Sequence, residues 1–113
     1  MNLIHAQQGE YLVVTVNAAR IDASAALEFK DSMNAIDESN SKILLNSEQV
    51  EFIDSSGLGA VVSVMKRLGK GHKLDLCALT PTVEKVFRLT RMDSIFSIYA
   101  ILEQAVSDQQ ATG

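Results

Sequence analysis

Val50-Glu51-Phe52-Ile53-Asp54-Ser55-Ser56-Gly57-Leu58-Gly59 places an apolar strand pair, an acid, two hydroxyls and two glycines directly ahead of an apolar helical run. Phe52 and Ile53 read as strand, and Asp54 sits where a helix N-cap belongs. Leu58, Val61, Val62, Met65 and Leu68 then recur at helical spacing. The segment therefore predicts a strand-to-helix turn that exposes hydroxyls at the electropositive end of a helix. A phosphate placed there would meet waiting N–H donors.

Working outward, Tyr11-Leu12-Val13-Val14-Thr15-Val16 is β-branched and aromatic and reads as a strand. Residues 2–8 pair with it through a turn at Gly9-Glu10. Asp22 opens a helix, with Ser24 as a competing cap. Ala26, Phe29, Met33 and Ile36 form its apolar face, and Ser39-Asn40-Ser41 ends it. Lys42-Ile43-Leu44-Leu45-Asn46 is a short buried-type strand that Phe52-Ile53 extends or resumes. Beyond the turn, residues 69–72 end the next helix, with Gly71 as a left-handed cap. Residues 73–79 form a strand, and Thr80-Pro81-Thr82 starts a helix with Pro81 in its tolerated first turn. Val83, Val86, Phe87 and Thr90 make the inner face of that helix. Ile95-Phe96-Ser97-Ile98-Tyr99 reads as a last strand, and residues 101–106 as a last helix. Strands alternating with helices after a leading hairpin imply an α/β fold: a mixed sheet of four to five strands with about four helices packed on it. Residues 1–106 form a single domain, and residues 107–113 are expected to be a frayed tail.

The chain has 113 residues, enough for one domain with a real core. Its net charge of −4 argues against a phosphate-backbone binder, so no nucleic acid is expected as a partner. Seven of the ten Lys and Arg nevertheless fall between Lys66 and Arg91, opposed only by Asp75 and Glu84. Solvated helix faces account for this better than a partner-facing patch. The lone Cys77 cannot form an internal disulfide and reads as a small buried hydrophobe in a reducing compartment. Neither a signal-peptide layout nor an apolar run of membrane-spanning length is present. The expectation is a soluble, cytoplasmic protein without a membrane partner.

Four readings of the turn compete. A structural cap explains one polar residue, at about 1 kcal/mol. It does not explain two glycines in the first helical turn, each costing nearly 1 kcal/mol relative to Ala. The bare backbone must serve close packing or the approach of another molecule. A catalytic serine lacks the Gly-x-Ser-x-Gly elbow, and its base could only be His5 or His72, neither placed to serve it. No catalytic residue is assigned, and the protein is not expected to be an enzyme. A nucleotide cradle lacks the third glycine of a dinucleotide fingerprint and the Lys of a phosphate loop, and Asp54 would repel phosphate. A phosphoacceptor hydroxyl uses every residue of the segment: it is accessible, and its phosphoester adds about −1.5 to −2 charge beside Asp54.

Phe52-Ile53-Asp54-Ser55-Ser56-Gly57-Leu58-Gly59 resembles the signature of the STAS domain, specifically that of the bacterial anti-sigma factor antagonists. Ala19-Arg20-Ile21-Asp22, the run from Leu79 to Phe87 and the closing run from Met92 to Tyr99 are similar to other segments of that family, so the resemblance covers nearly the whole chain. It implies a STAS fold and a partner-switching role. The unmodified antagonist binds a serine/threonine kinase that acts as anti-sigma factor; phosphorylation releases it, and a PP2C-type serine phosphatase resets it. The resemblance makes Ser55, directly after the aspartate, the phosphoacceptor, with Ser56 the alternative. It also implies partner contact at Asp54, Ser56, Gly57 and Gly59. The nucleotide belongs to the kinase, so neither cofactor nor metal is expected here. Two departures, Ala18-Ala19 before the first-helix Asp and Asn46-Ser47 after the central strand, bear on partner identity rather than mechanism. The same fold could instead serve as a constitutive subunit of a lipid or solute ABC-transport complex.

Overall fold

A computed structural model describes residues 2–36, 42–69 and 71–112, with side chains as far as Ser107. The expected end of the first helix at Ser39-Asn40-Ser41 lies outside the described residues. Chain order is β1 (Leu3–Gln8), β2 (Tyr11–Val16), β3 (Arg20–Ile21), α1 (Ala23–Asn34), β4 (Lys42–Asn46), β5 (Phe52–Ile53), α2 (Ser55–Leu68), β6 (Lys73–Cys77), α3 (Pro81–Leu89), β7 (Ile98–Tyr99) and α4 (Leu102–Thr112). The main sheet runs β1-β2-β4-β6-β7. Only β1 is antiparallel to its neighbour; the other pairs are parallel and need helical crossovers, which α1, α2 and α3 supply.

Strand alternation divides the sheet into two faces. Leu12, Val14 and Val16 of β2, Ile43 and Leu45 of β4 and Leu74 and Leu76 of β6 point into the larger core. There they meet Phe29, Met33 and Ile36 from the first helical segment, Leu58, Ala60, Val61, Val64 and Leu68 of α2, and Val83 and Phe87 of α3. Tyr11, Val13, Leu44 and Cys77 point the other way and are covered by Ala105, Leu102 and Val106 of α4. Phe87 closes its end of the main core edge-to-face on Phe96, with ring centroids 6.1 Å apart.

The two helix-opening acids behave as their positions suggest. Asp22 and Asp54 both hold extended backbone at the N-caps of α1 and α2, and Ser24 serves Asp22 rather than competing with it, donating its hydroxyl to Oδ1 at 2.7 Å. Several expectations change. Phe52-Ile53 does not extend β4; it pairs with β3 in a separate two-stranded parallel ladder. Thr90 is exposed rather than on the inner face of α3, its hydroxyl bonding the Val86 carbonyl at 2.7 Å to close the last turn. Only Ile98–Tyr99 of the last expected strand is extended, because Met92–Ser94 winds into a 3₁₀ turn and leaves Ile95 exposed. The last helix continues to Thr112, beyond Val106. Asp75 is not a surface counter-charge: it is buried on the α4 face, where the Tyr11 hydroxyl donates to it and the Lys73 ammonium lies 3.5 Å away.

Candidate functional site

The small β3–β5 ladder positions the turn. Its register pairs Arg20 with Phe52 and Ile21 with Ile53, so the acids that follow, Asp22 and Asp54, come side by side at the starts of two helices. Each carboxylate caps its own helix: Asp22 Oδ1 accepts from the Ala25 N–H at 3.2 Å, and Asp54 Oδ1 from the Gly57 N–H at 2.9 Å. Asp54 does more. Its Oδ2 accepts from the Ala23 N–H, the first residue of α1, at 3.1 Å. One carboxylate therefore holds the N-termini of both helices, and two positive helix ends converge on it.

Asp22 is embedded in donors of its own. Hydrogen bonds from Ser24 and from the Arg20 guanidinium, the latter at 3.2 Å, hold its carboxyl below the usual range. The same guanidinium lies 4.3 Å from the centre of the Phe52 ring, so Arg20 is fixed between an anion and an aromatic face.

The two glycines have different explanations. Gly57 is buried, and a Cβ built on it would lie 1.8 Å from the Ile21 carbonyl oxygen and 2.9 Å from Ile53 Cγ1. Its bareness serves the packing of α2 on β3, inside the chain rather than against a partner. Gly59 is exposed, and a Cβ there would meet nothing within 4 Å. Among the described residues no internal contact requires that glycine. Leu58 between them is a core residue.

Ser55 and Ser56 are exposed at the first two positions of α2. Among the described residues neither hydroxyl is held by another group. In the first turn the Gly57 N–H is taken by the Asp54 carboxylate, and the Leu58 N–H by the Asp54 carbonyl at 2.9 Å. The Ser55 and Ser56 N–H groups remain, as the first donors of any helix do, pointing out of its end. The arrangement offers two free hydroxyls on a fixed turn with two free donors beside them.

Among the described residues neither histidine is placed to serve these hydroxyls as a base. His72 follows the far end of α2, about 20 Å away along a 14-residue helix. His5 lies on β1, at the edge of the main sheet. Among the described residues no group of three His, Cys, Asp or Glu could hold a metal ion, and no helix is long and apolar enough to cross a membrane. The Cys77 thiol is buried and pushed up to about 12 by desolvation, so it is not a nucleophile.

Sequence reading overlooked the roles of Arg20 and Ala23 because they lie some thirty residues from the turn. A signal was available: Ile21-Asp22-Ala23-Ser24 and Ile53-Asp54-Ser55-Ser56 repeat one Ile-Asp-x-Ser pattern, once for each paired strand and capped helix.

Comparison with known proteins follows the same lines. The STAS-domain family model matches residues 3–105. The Bordetella bronchiseptica protein named "Putative anti-sigma factor antagonist BtrV" is 30% identical over 106 residues, covering 93% of this chain and 84% of its own. An anti-sigma factor antagonist from Mycobacterium paratuberculosis superposes with a TM-score of 0.83 at 24% identity, covering 95% of this chain and 92% of its own. The anti-sigma factor antagonist SpoIIAA in its unphosphorylated form gives a TM-score of 0.71 at 22% identity over 97% of each chain. The Bacillus cell fate determinant SpoIIAA in the phosphorylated form gives a TM-score of 0.66 at 24% identity over 95% of this chain and 98% of that one.

Proposed function

This chain belongs to the STAS-domain family, and from that premise we propose that it is a cytoplasmic partner-switching regulator of the anti-sigma factor antagonist kind, a binding module and not an enzyme. It binds a serine/threonine kinase acting as anti-sigma factor, is phosphorylated on Ser55 and is thereby released; a PP2C-type phosphatase resets it. In the modification step the Ser55 Oγ attacks the γ-phosphorus of the kinase-bound ATP, ADP leaves, and the hydroxyl proton passes to a base on the kinase.

One observation carries the reading. The Ser55 hydroxyl is exposed on a turn whose geometry Asp54 fixes from both sides, to Gly57 and to Ala23. A kinase meets a rigid substrate, and a partner meets a preformed surface. Gly59 on the exposed face of α2 lets a partner approach the backbone. Asp54 and Ser56 flank the acceptor. Gly57 contributes through the packing that sets the turn.

The release logic is electrostatic. A phosphoester adds about −1.5 to −2 charge next to the Asp54 carboxylate. Arg20, on the strand paired with the one that leads into the turn, is already committed to Asp22 and Phe52. A dianion buried at an interface without a cationic mate costs several kcal/mol, and 4 kcal/mol weakens binding by about a thousandfold.

Incubation with the cognate kinase and ATP, followed by peptide mass spectrometry, tests the assignment. Phosphate is expected on Ser55 and should be lost in Ser55→Ala. Equal incorporation at Ser56 in that variant would overturn the choice of acceptor. Co-purification with a transport ATPase in place of a kinase would favour the constitutive transport-complex role.

A further inference from the structure

We propose that the free edge of β1 is a self-pairing seam, through which two copies of this chain join their five-stranded sheets into one continuous antiparallel sheet. Edge strands are normally protected by charge, proline or short length. The far edge of this sheet, β7, has two residues. β1 has six, Leu3-Ile4-His5-Ala6-Gln7-Gln8, with no Lys, Arg, Asp, Glu or Pro. All are exposed except half-buried Leu3, and Ile4 is 55% exposed. Among the described residues β1 pairs only with β2.

The hydrogen-bond phase shows which groups the edge offers. Gln8 and Tyr11 flank a two-residue turn, and the Asn17 N–H bonds the Asn2 carbonyl at 3.0 Å. Even-numbered residues of β1 therefore bond inward to β2, and Leu3, His5 and Gln7 direct N–H and C=O outward. These three residues are the template.

Symmetry then selects the occupant and the register. Two identical strands pair antiparallel only about a twofold axis perpendicular to the sheet, which keeps each face on its own side. Opposed residues must therefore share a face, and their numbers must differ by an even count. Centring on His5 opposes Leu3 to Gln7 of the second copy and His5 to its own counterpart. Every outward group is used, giving about six interchain bonds. Centring on Ala6 instead would oppose Leu3 to Gly9, a turn residue at φ 59° that cannot continue a ladder. In the favoured register Ile4 lies against Ala6 of the second copy, an apolar contact on the α4 face, and no Lys, Arg, Asp or Glu of β1 meets its like. The phosphoacceptor turn lies outside this seam, so the proposal stands independently of the switch.

The test is sedimentation of the full chain at rising concentration, to about 1 mM, where even a millimolar association is substantially populated. The expected species has twice the 12.3 kDa chain mass. His5→Lys sets two ammonium groups directly opposite and should raise the dimer Kd by about tenfold or more. Ser63→Lys, an equal charge on exposed α2, should leave it unchanged. Register is read by cross-linking under mild oxidation. In His5→Cys the paired Cα atoms sit about 5.5 Å apart, within disulfide reach, whereas in Ile4→Cys they are roughly 8–9 Å apart. A disulfide dimer is expected for the first variant and not the second. A wild-type chain that stays monomeric throughout, a His5→Lys chain that dimerises like wild type, or equal cross-linking of the two cysteine variants would each overturn the proposal. If His5→Lys fails to fold by circular dichroism, the cross-linking pair decides.

Discussion

Replacing either glycine of the turn with alanine is the same chemical change with opposite expected results. At Gly57 the new methyl would lie 1.8 Å from the Ile21 carbonyl oxygen and 2.8 Å from its carbon. Carbon and carbonyl oxygen in contact sit roughly 3.3 Å apart, so α2 and β3 must separate by about 1.5 Å. Backbone cannot yield as a side-chain tip can, and overpacking of this kind costs about 1–3 kcal/mol. The separation also stretches the Asp54 N–H to Ile21 carbonyl bond, already 3.4 Å, and the 3.1 Å bond from Ala23 to Asp54. Each contributes about 0.5–1.5 kcal/mol. Helix propensity returns about 1 kcal/mol for Gly→Ala. The net expectation for Gly57→Ala is a loss of about 1–5 kcal/mol. At Gly59 nothing lies within 4 Å, and alanine should stabilise by about 0.4–1 kcal/mol. Urea unfolding followed by circular dichroism reads both changes as shifts in midpoint at unchanged slope. If the unfolding free energies of the two variants lie within about 0.5 kcal/mol of each other, the packing account of Gly57 is wrong.

Other consequences follow from the same geometry. Asp54→Ala should destabilise by about 1.5–3 kcal/mol, more than one lost cap, because two helix ends lose an acceptor; hydrogen exchange should report faster opening at Ala23 as well as at Gly57. Asp22 has a lowered folded pKa, so its contribution is present above the usual value of 3.8 and is lost as pH falls through the folded value. An Asp22→Asn chain should thus show a flatter fall of stability with acid below that value in pH-dependent urea titrations. Tyr11→Phe leaves buried Asp75 without its hydroxyl donor and should cost about 1–3 kcal/mol, read by thermal or urea unfolding. Cys77, buried and with its thiol pushed up to about 12, should resist a thiol reagent at pH 8 in the native state and react once urea unfolds the chain, as followed by mass spectrometry.

What the sequence disclosed and what it withheld divide along sequence separation. Helix caps are local: Asp22 and Asp54 announce themselves by type and by the apolar period that follows. Pro81 marks the start of α3 for the same reason. The β3–β5 ladder is two residues long, too short for periodicity to reveal, yet it brings the two capped helices together. Asp54 reaches Ala23 across 31 positions, and Tyr11 reaches Asp75 across 64. Neither partner choice has a local signature. Gly57 and Gly59 looked alike in the sequence because both are bare; only the Ile21 carbonyl separates an internal need from an open one. Phe96 and Ile98 suggested a full strand by composition, but the turn that opens at Met92 runs on into it, the Ile95 and Phe96 N–H groups both bonding the Met92 carbonyl, and the strand is confined to Ile98–Tyr99.

The central claim is that phosphate on Ser55 ejects a kinase from a surface prepared by Asp54. Isothermal titration of the cognate kinase with unmodified and Ser55-phosphorylated chain measures this directly. The account predicts tight binding of the unmodified chain and a loss of about a thousandfold on phosphorylation, corresponding to about 4 kcal/mol. Equal affinity of the two forms, or tighter binding of the phosphorylated one, would contradict it.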